Sequence, residues 1–242
     1  MCFKTFLFQT MIEPEIDKDM CEYMEPIWSL LSPEEKALLK SHISTRHFKK
    51  NEIIYHENDE AEYLMCLICG KVKIYKEGIG GRNQIMRLVS PIQYFGYRAY
   101  FAKEPYVTEA AAFENATILF VPMDVITRLI HLNSQVAMFF ISELASDLGE
   151  SDERTVNLTQ KHIRGRLADS LLFLLDKYGT EDDGITLNIY LAREDLANLS
   201  NMTTSNAIRT LSGFCSEGII IADGRKIKIM NEEKLRMINK FG

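Results

Sequence analysis

Residues 191–231 constrain the fold of this chain more tightly than any other stretch. They read LAREDLANLSNMTTSNAIRTLSGFCSEGIIIADGRKIKIMN. Leu191, Leu196 and Leu199 set apolar groups on one face of a first helix, and Arg193, Glu194 and Asp195 solvate the other. Ser200-Asn201-Met202 interrupts that period as a turn. Thr203 is placed to cap a second helix, because its hydroxyl can accept an orphan backbone N–H. Ala207, Ile208, Leu211 and Phe214 are the expected buried stripe of that helix, with Cys215 expected inside beside them. Gly218 suits a left-handed exit. Ile219, Ile220 and Ile221, the turn dipeptide Asp223-Gly224, then Ile227 and Ile229 predict a two-stranded hairpin. Helix, turn, helix and hairpin in this order make a winged helix-turn-helix, whose second helix inserts its first turns into a DNA major groove.

The residues at those first turns suit the task. Thr203, Thr204, Ser205, Asn206 and Arg209 are all hydrogen-bonding groups. Arg209 and Ser205 are expected to read bases, supported by Thr204 and Asn206. Arg193, Thr203 and Lys226, with Arg225 at the hairpin tip, are expected to hold phosphates. Any one of them would serve equally on an ordinary solvated helix; their recurrence in the required order carries the assignment. The charge balance agrees. From residue 161 onward there are twelve Lys or Arg against eleven Asp or Glu, a balance of +1. The remainder then carries −7 of the total −6. A nearly neutral module with a few placed cations predicts a moderate salt dependence, not indiscriminate affinity for nucleic acid.

The rest of the chain divides in character, and its 242 residues suffice for two domains. Residues 27–43 read as helical, with Trp28, Leu31, Leu38, Leu39 and Ile43 apolar and Ser32-Pro33-Glu34-Glu35 opening a helix. From residue 48 short β-prone runs follow at 52–55, 63–69, 72–76, 84–88 and 116–121, punctuated by glycines and Pro91. Such spacing predicts a closed or sandwiched antiparallel sheet, a β-barrel or jelly roll. One long helix is expected from about residue 122 to 160. On it Ile141, Leu144, Leu148, Ser151, Thr155 and Leu158 alternate steps of three and four, the spacing of a coiled-coil dimer seam. A two-fold dimer also matches a palindromic DNA site. Residues 161–165 read as a hinge, and 166–178 as a helix burying Leu167, Leu171, Leu174, Leu175 and Tyr178. The expected class is therefore α+β: an extension over 1–24, a sensing β-domain over 25–132, a dimerisation helix over 133–161 and the reader over 162–242.

Three segments carry a resemblance: GKVKIYKEG at 70–78, HIRGRLADSLLFL at 162–174, and the helix-turn-helix itself. Together the order of parts resembles the Crp/Fnr family of bacterial transcription regulators over roughly residues 25–235. The resemblance implies a barrel that binds an effector, a long helix that dimerises, a module that reads DNA, and RNA polymerase as a further partner. Two departures follow. The family's recognition helix opens with an Arg-Glu pair and carries a later Arg; here Thr204 and Ser205 fill the pair and only Arg209 matches, so a different operator is expected. Cyclic-nucleotide binders of the family carry Gly-Glu-Leu and a later Arg-Ser or Arg-Thr, which hold the ribose and the cyclic phosphate. Here the segments are Gly96-Tyr97-Arg98 and Val107-Thr108, with Ser151 and Asp152 at the helix positions that touch the base. Tyr97 replaces the acid and Val107 the base, and burying a phosphate without that charge is costly. A cyclic nucleotide is thus not the expected effector. Haem stays open as an alternative, as does a constitutive regulator without any effector.

Other chemistry is weakly signalled. Cys66-x-x-Cys69 lies in a strand-like run, where residues three apart face opposite sides, so a shared metal is not expected. Five cysteines without framework spacing suggest reduced thiols and a cytoplasmic protein. Cys2 and Cys21 are too few for an N-terminal iron–sulfur cluster. The opening MCFKTFLFQTM makes neither signal peptide nor membrane span, and Met11 or Met20 could be the true start. His42, His47, His56, His131 and His162 match no metal-ligand motif, and no nucleophile elbow or phosphate loop is present, so no enzyme is expected. A protein-binding winged module and a thiol oxidoreductase are the remaining rivals.

Overall fold

A computed structural model describes residues 23–78 and 80–242. The readings placed on Cys2, Met11, Met20 and Cys21 lie outside them. The chain enters through α1 (Glu25–Trp28) and α2 (Pro33–Lys40). Ser32 opens α2 with a capping box. Its Oγ accepts from the Glu35 N–H at 3.3 Å, and the Glu35 carboxylate accepts from the Ser32 N–H at 2.9 Å.

Eight strands follow: β1 (Ser44–Phe48), β2 (Ile53–Tyr55), β3 (Tyr63–Cys69), β4 (Val72–Glu77), β5 (Asn83–Val89), β6 (Tyr94–Phe95), and, after the short α3 (Tyr97–Ala102), β7 (Glu109–Ala112) and β8 (Ala116–Pro122). They form two antiparallel four-stranded sheets, ordered β1-β8-β3-β6 and β2-β7-β4-β5. Among the described residues no ladder joins the sheets, so the architecture is a jelly-roll-like sandwich and not a closed barrel. Three strands escape sequence patterning. β1 reads STRHF without alternation, β6 has two residues, and β7 reads EAAA, a poor strand former. β7 is held by tertiary context: Ala110, Ala111 and Ala112 are all buried, with Ala110 and Ala112 in the cluster between the sheets.

The single long helix expected after β8 is two. α4 (Met123–Leu132) and α5 (Ser134–Gln160) meet at 119°. Asn133 makes the break. Its Oδ1 caps α5 by accepting from the Gln135 N–H at 3.0 Å, and its Nδ2 donates to the Leu30 carbonyl at 2.9 Å. The expected hinge also shortens. α6 (Ile163–Tyr178) already includes Gly165, and only Lys161 and His162 stand outside helix. Gly165 serves packing: a Cβ there would lie 2.5 Å from the Gly242 carbonyl oxygen. The reader is completed by α7 (Arg193–Leu199), α8 (Thr204–Ser216), the hairpin β9 (Ile220–Asp223) and β10 (Lys226–Ile229), and α9 (Glu232–Phe241).

The reader does not hang free of the sandwich. Ile85, Leu88 and Phe113 from the β-domain belong to the same buried cluster as Leu171, Leu196 and Phe214 of the reader. Lys73 on β4 pairs with Asp195 on α7 at 2.8 Å. Arg154, half-buried on α5, donates to the carbonyls of Ile85 at 2.6 Å, Met86 at 2.8 Å and Leu199 at 3.1 Å. One guanidinium thus ties the long helix to the edge strand β5 and to the end of α7.

Candidate nucleic-acid interface

The helix-turn-helix forms where its sequence places it. Leu191, Leu196 and Leu199 are buried, and Asn201 takes a left-handed φ of 48° in the turn. Ser200 is buried and donates to Ser170 on α6 at 2.8 Å, anchoring the turn to the body of the reader. The Thr203 hydroxyl accepts from the Asn206 N–H at 3.3 Å and caps α8. Ala207, Leu211 and Phe214 form its inner face. Two residues assigned to that face sit elsewhere. Ile208 is 47% exposed and Cys215 is exposed. Ala207, Leu211 and Phe214 already close the contact with the first helix and the wing, and positions 208 and 215 fall on the flank of the stripe.

Thr203, Thr204, Ser205 and Arg209 are exposed on the outer side of α8. Arg209 donates from Nη2 to the Asn206 Oδ1 at 2.8 Å, which holds the guanidinium along the helix and occupies the amide. Asn206 therefore acts on Arg209 in this state. Arg193 is half-buried with Nη1 enclosed and without a hydrogen-bond partner. It borders a depression of about 600 Å³ shared with Ile208, Ser212, Cys215 and Ala222.

The wing turns one residue later than the dipeptide suggests. Asp223 pairs with Lys226, so Gly224 and Arg225 are the two loop residues, and Gly224 has φ 54°. Arg225 is exposed at the tip. Lys226 is not free: its Nζ lies 3.3 and 3.4 Å from the Glu181 carboxylate oxygens and 4.9 Å over the Tyr190 ring. Asp183 braces the same loop. It accepts from the Thr186 hydroxyl at 2.6 Å, from the Thr186 N–H at 2.8 Å and from the Ile185 N–H at 3.1 Å. These bonds hold its carboxyl far below the usual carboxylate range.

Of the expected effector residues, Arg98 and Thr108 both lie near Tyr55. Tyr97 is buried and its hydroxyl points to Asp147 on α5 at 3.4 Å, beside the Arg87–Asp147 ion pair at 2.7 Å. Arg98 turns outward to Glu104 at 2.8 Å. Val107 is exposed, Thr108 is bonded to Tyr55, and Ser151 and Asp152 lie exposed on α5. Gly96 has φ 90°, where a side chain is strained, and a Cβ there would lie 3.0 Å from the Tyr63 carbonyl oxygen. Between the sheets, Tyr55 stacks on Tyr106 at 3.8 Å amid Phe95, Phe120 and Leu67. At the family's ribose position Tyr97 offers no carboxylate and at its phosphate position Val107 offers no cation, so those two positions do not fit a cyclic nucleotide. All five histidines are exposed. Cys66 is buried and Cys69 exposed, with a register shift in β3 between Leu67 and Cys69. Among the described residues no cluster of three metal-ligating side chains occurs.

The expected seam residues on α5 differ in exposure. Ile141 and Leu148 are exposed, at 56% and 63%, with Ser151 and Thr155. Leu144 instead packs on the sensor core, and Leu158 is half-buried. Met138, Ala145 and Val156 take the outward places.

Two family models match this chain: a cyclic nucleotide-binding domain over residues 45–133 and a Crp-like helix-turn-helix domain over residues 165–238. A CRP-like cAMP-activated global transcriptional regulator of Mycobacterium tuberculosis is 23% identical over 210 residues, covering 86% of this chain and 94% of that protein. The anaerobic regulatory protein of Bacillus subtilis is 25% identical over 210 residues, covering 86% and 88%. The solved structure of FixK2 from Bradyrhizobium japonicum superposes with a TM-score of 0.73 at 23% identity, over 81% of this chain and 97% of that one.

Proposed function

The chain belongs to the Crp/Fnr family of transcription regulators, and on that premise we propose that it is a homodimer that binds a palindromic operator through two copies of α8. It acts by binding and not by catalysis, in the cytoplasm, with RNA polymerase as the partner that reads its occupancy. The observation that carries this is the outer side of α8: Thr204, Ser205 and Arg209 stand exposed on a helix whose other side is a closed core. Arg209 and Ser205 read base edges. Thr203, Arg193 and the wing residues Arg225 and Lys226 hold phosphates, and Asn206 steers Arg209. The assigned bodies are the sensing domain at 25–132, the dimerisation helix at 133–161 and the reader at 162–242, with an extension at 1–24.

The exposed row Met138, Ile141, Ala145 and Leu148 supports the dimer. Its steps of three and four are those of a two-helix seam, and it leaves apolar surface that water would not otherwise tolerate in such a line. Control by the sensing domain runs through an effector other than a cyclic nucleotide, because Tyr97 and Val107 stand at the positions where that ligand needs an acid and a cation. Switching is a population shift between reader positions, of which only one sets two α8 helices a helical turn of DNA apart.

Arg209→Ala tests the assignment. It is expected to weaken operator binding by about 1–3 kcal/mol and to relax one operator position. Binding-site selection with the wild type and the variant reads both effects; an unchanged preference refutes the role of Arg209.

A further inference from the structure

We propose that Ile208 is a specificity-determining residue that selects thymine through its 5-methyl group. This rests on α8 entering the major groove. Ile208 is 47% exposed on that helix. Thr204 and Ile208 are four residues apart, as are Ser205 and Arg209, so the four form two adjacent columns at the leading end of the helix. Three of the four are polar, and Ile208 is the one wholly hydrocarbon side chain among them. Its β-branched side chain has essentially one χ1 rotamer in a helix, so its methyl groups keep a fixed direction without further ordering on contact. Arg209 cannot shield it, because its guanidinium is drawn to Asn206 at 2.8 Å.

The major-groove edges of guanine, adenine and cytosine present donors and acceptors that isoleucine would leave unpaired. Thymine presents a methyl group. The column Thr204–Ile208 therefore recognises a base by shape and hydrophobic contact, where Ser205–Arg209 recognises by hydrogen bonds.

The test uses the operator returned by binding-site selection with the wild-type protein. Each thymine of one half-site is replaced singly by deoxyuridine, which removes only the methyl group. Dissociation constants are measured for the wild type, Ile208→Ala and Ile208→Ser. One replacement is expected to weaken the wild type about fourfold, from burial of a single methyl, and the symmetric double replacement roughly fifteenfold. Ile208→Ala should bind the thymine and deoxyuridine duplexes alike at that position while keeping its response elsewhere. A penalty that persists unchanged in Ile208→Ala overturns the proposal, as does a wild type indifferent to every replacement. If selection returns no enriched sequence at all, the failure lies with DNA reading by α8. Thermal unfolding checks that the variants fold, which an exposed site should permit.

Discussion

Replacing Arg154 by methionine keeps the aliphatic stem and removes the guanidinium that joins three parts of the molecule. The side chain donates to Ile85, Met86 and Leu199 carbonyls at 2.6 to 3.1 Å. Hydrogen bonds to a charged donor contribute about 1.5–3 kcal/mol each, so three set an upper bound of roughly 5–9 kcal/mol. Desolvating the guanidinium costs several kcal/mol of that, and burial accordingly holds its pKa below the ordinary arginine value. Among the described residues no strand pairs with the outer edge of β5, so its freed carbonyls can take up water once the reader lifts away. A net loss of about 2–4 kcal/mol in docking results, which multiplies the undocked population roughly 30- to 700-fold. Hydrogen exchange is the assay. Amides of β5 and α7 should lose protection together, while those of β3 and β8 in the opposite sheet stay protected. Trypsin should cut faster at Lys161. Unchanged protection in β5 and α7, with an unchanged unfolding midpoint, would refute the clamp.

Leu148→Arg sets two cations against each other across the proposed seam and should yield a monomer by light scattering, with operator affinity down at least about a hundredfold as the second reader is lost. Asp183 has a carboxyl pKa depressed in the folded state, so its contribution to stability is full above the unfolded carboxylate value near 4 and disappears as pH falls below it. In Asp183→Asn the acid limb of the stability curve should flatten; urea titrations at pH 3 and pH 6 that leave the wild-type difference intact would count against this. Burial pushes the Cys66 thiol up to about 12, so iodoacetamide should modify Cys69 and Cys215 in the native protein and reach Cys66 only on unfolding. Mass mapping of native Cys66 adducts would contradict it.

The reader was legible because each local signal agrees with its neighbours. Leu196 and Leu199 set the period, Thr203 caps, Gly218 exits, and Asp223-Gly224 marks a hairpin to within one residue. What failed there is a matter of flank. A stripe of 3.6 period leaves positions 208 and 215 undecided, and only the packed neighbours turn Ile208 and Cys215 outward. The same ambiguity divided the seam of α5. Leu144 and Ala145 are adjacent, and which faces outward depends on the sensor surface beneath Leu144. Asn133 reads as one residue of a helix, yet its amide finds Leu30, about a hundred positions earlier, and ends one helix while starting another. The strand β7 was hidden because alanines carry no strand signal of their own. The expected effector residues were placed by family position, which does not say where a side chain turns: Tyr97 turns to α5, and Arg98 pairs with Glu104.

Ile85, Leu88 and Phe113 blur the border that the chain draws for itself at Lys161. The reader and the sandwich share oil as well as the Lys73–Asp195 ion pair, so neither is a bead on a string. A fragment begun at His162 would carry an unclothed greasy scar. Conversely, a displacement of β5 by as little as a methyl radius would be felt at once by the helix preceding the one that meets DNA, with no need for the long helix to carry the message.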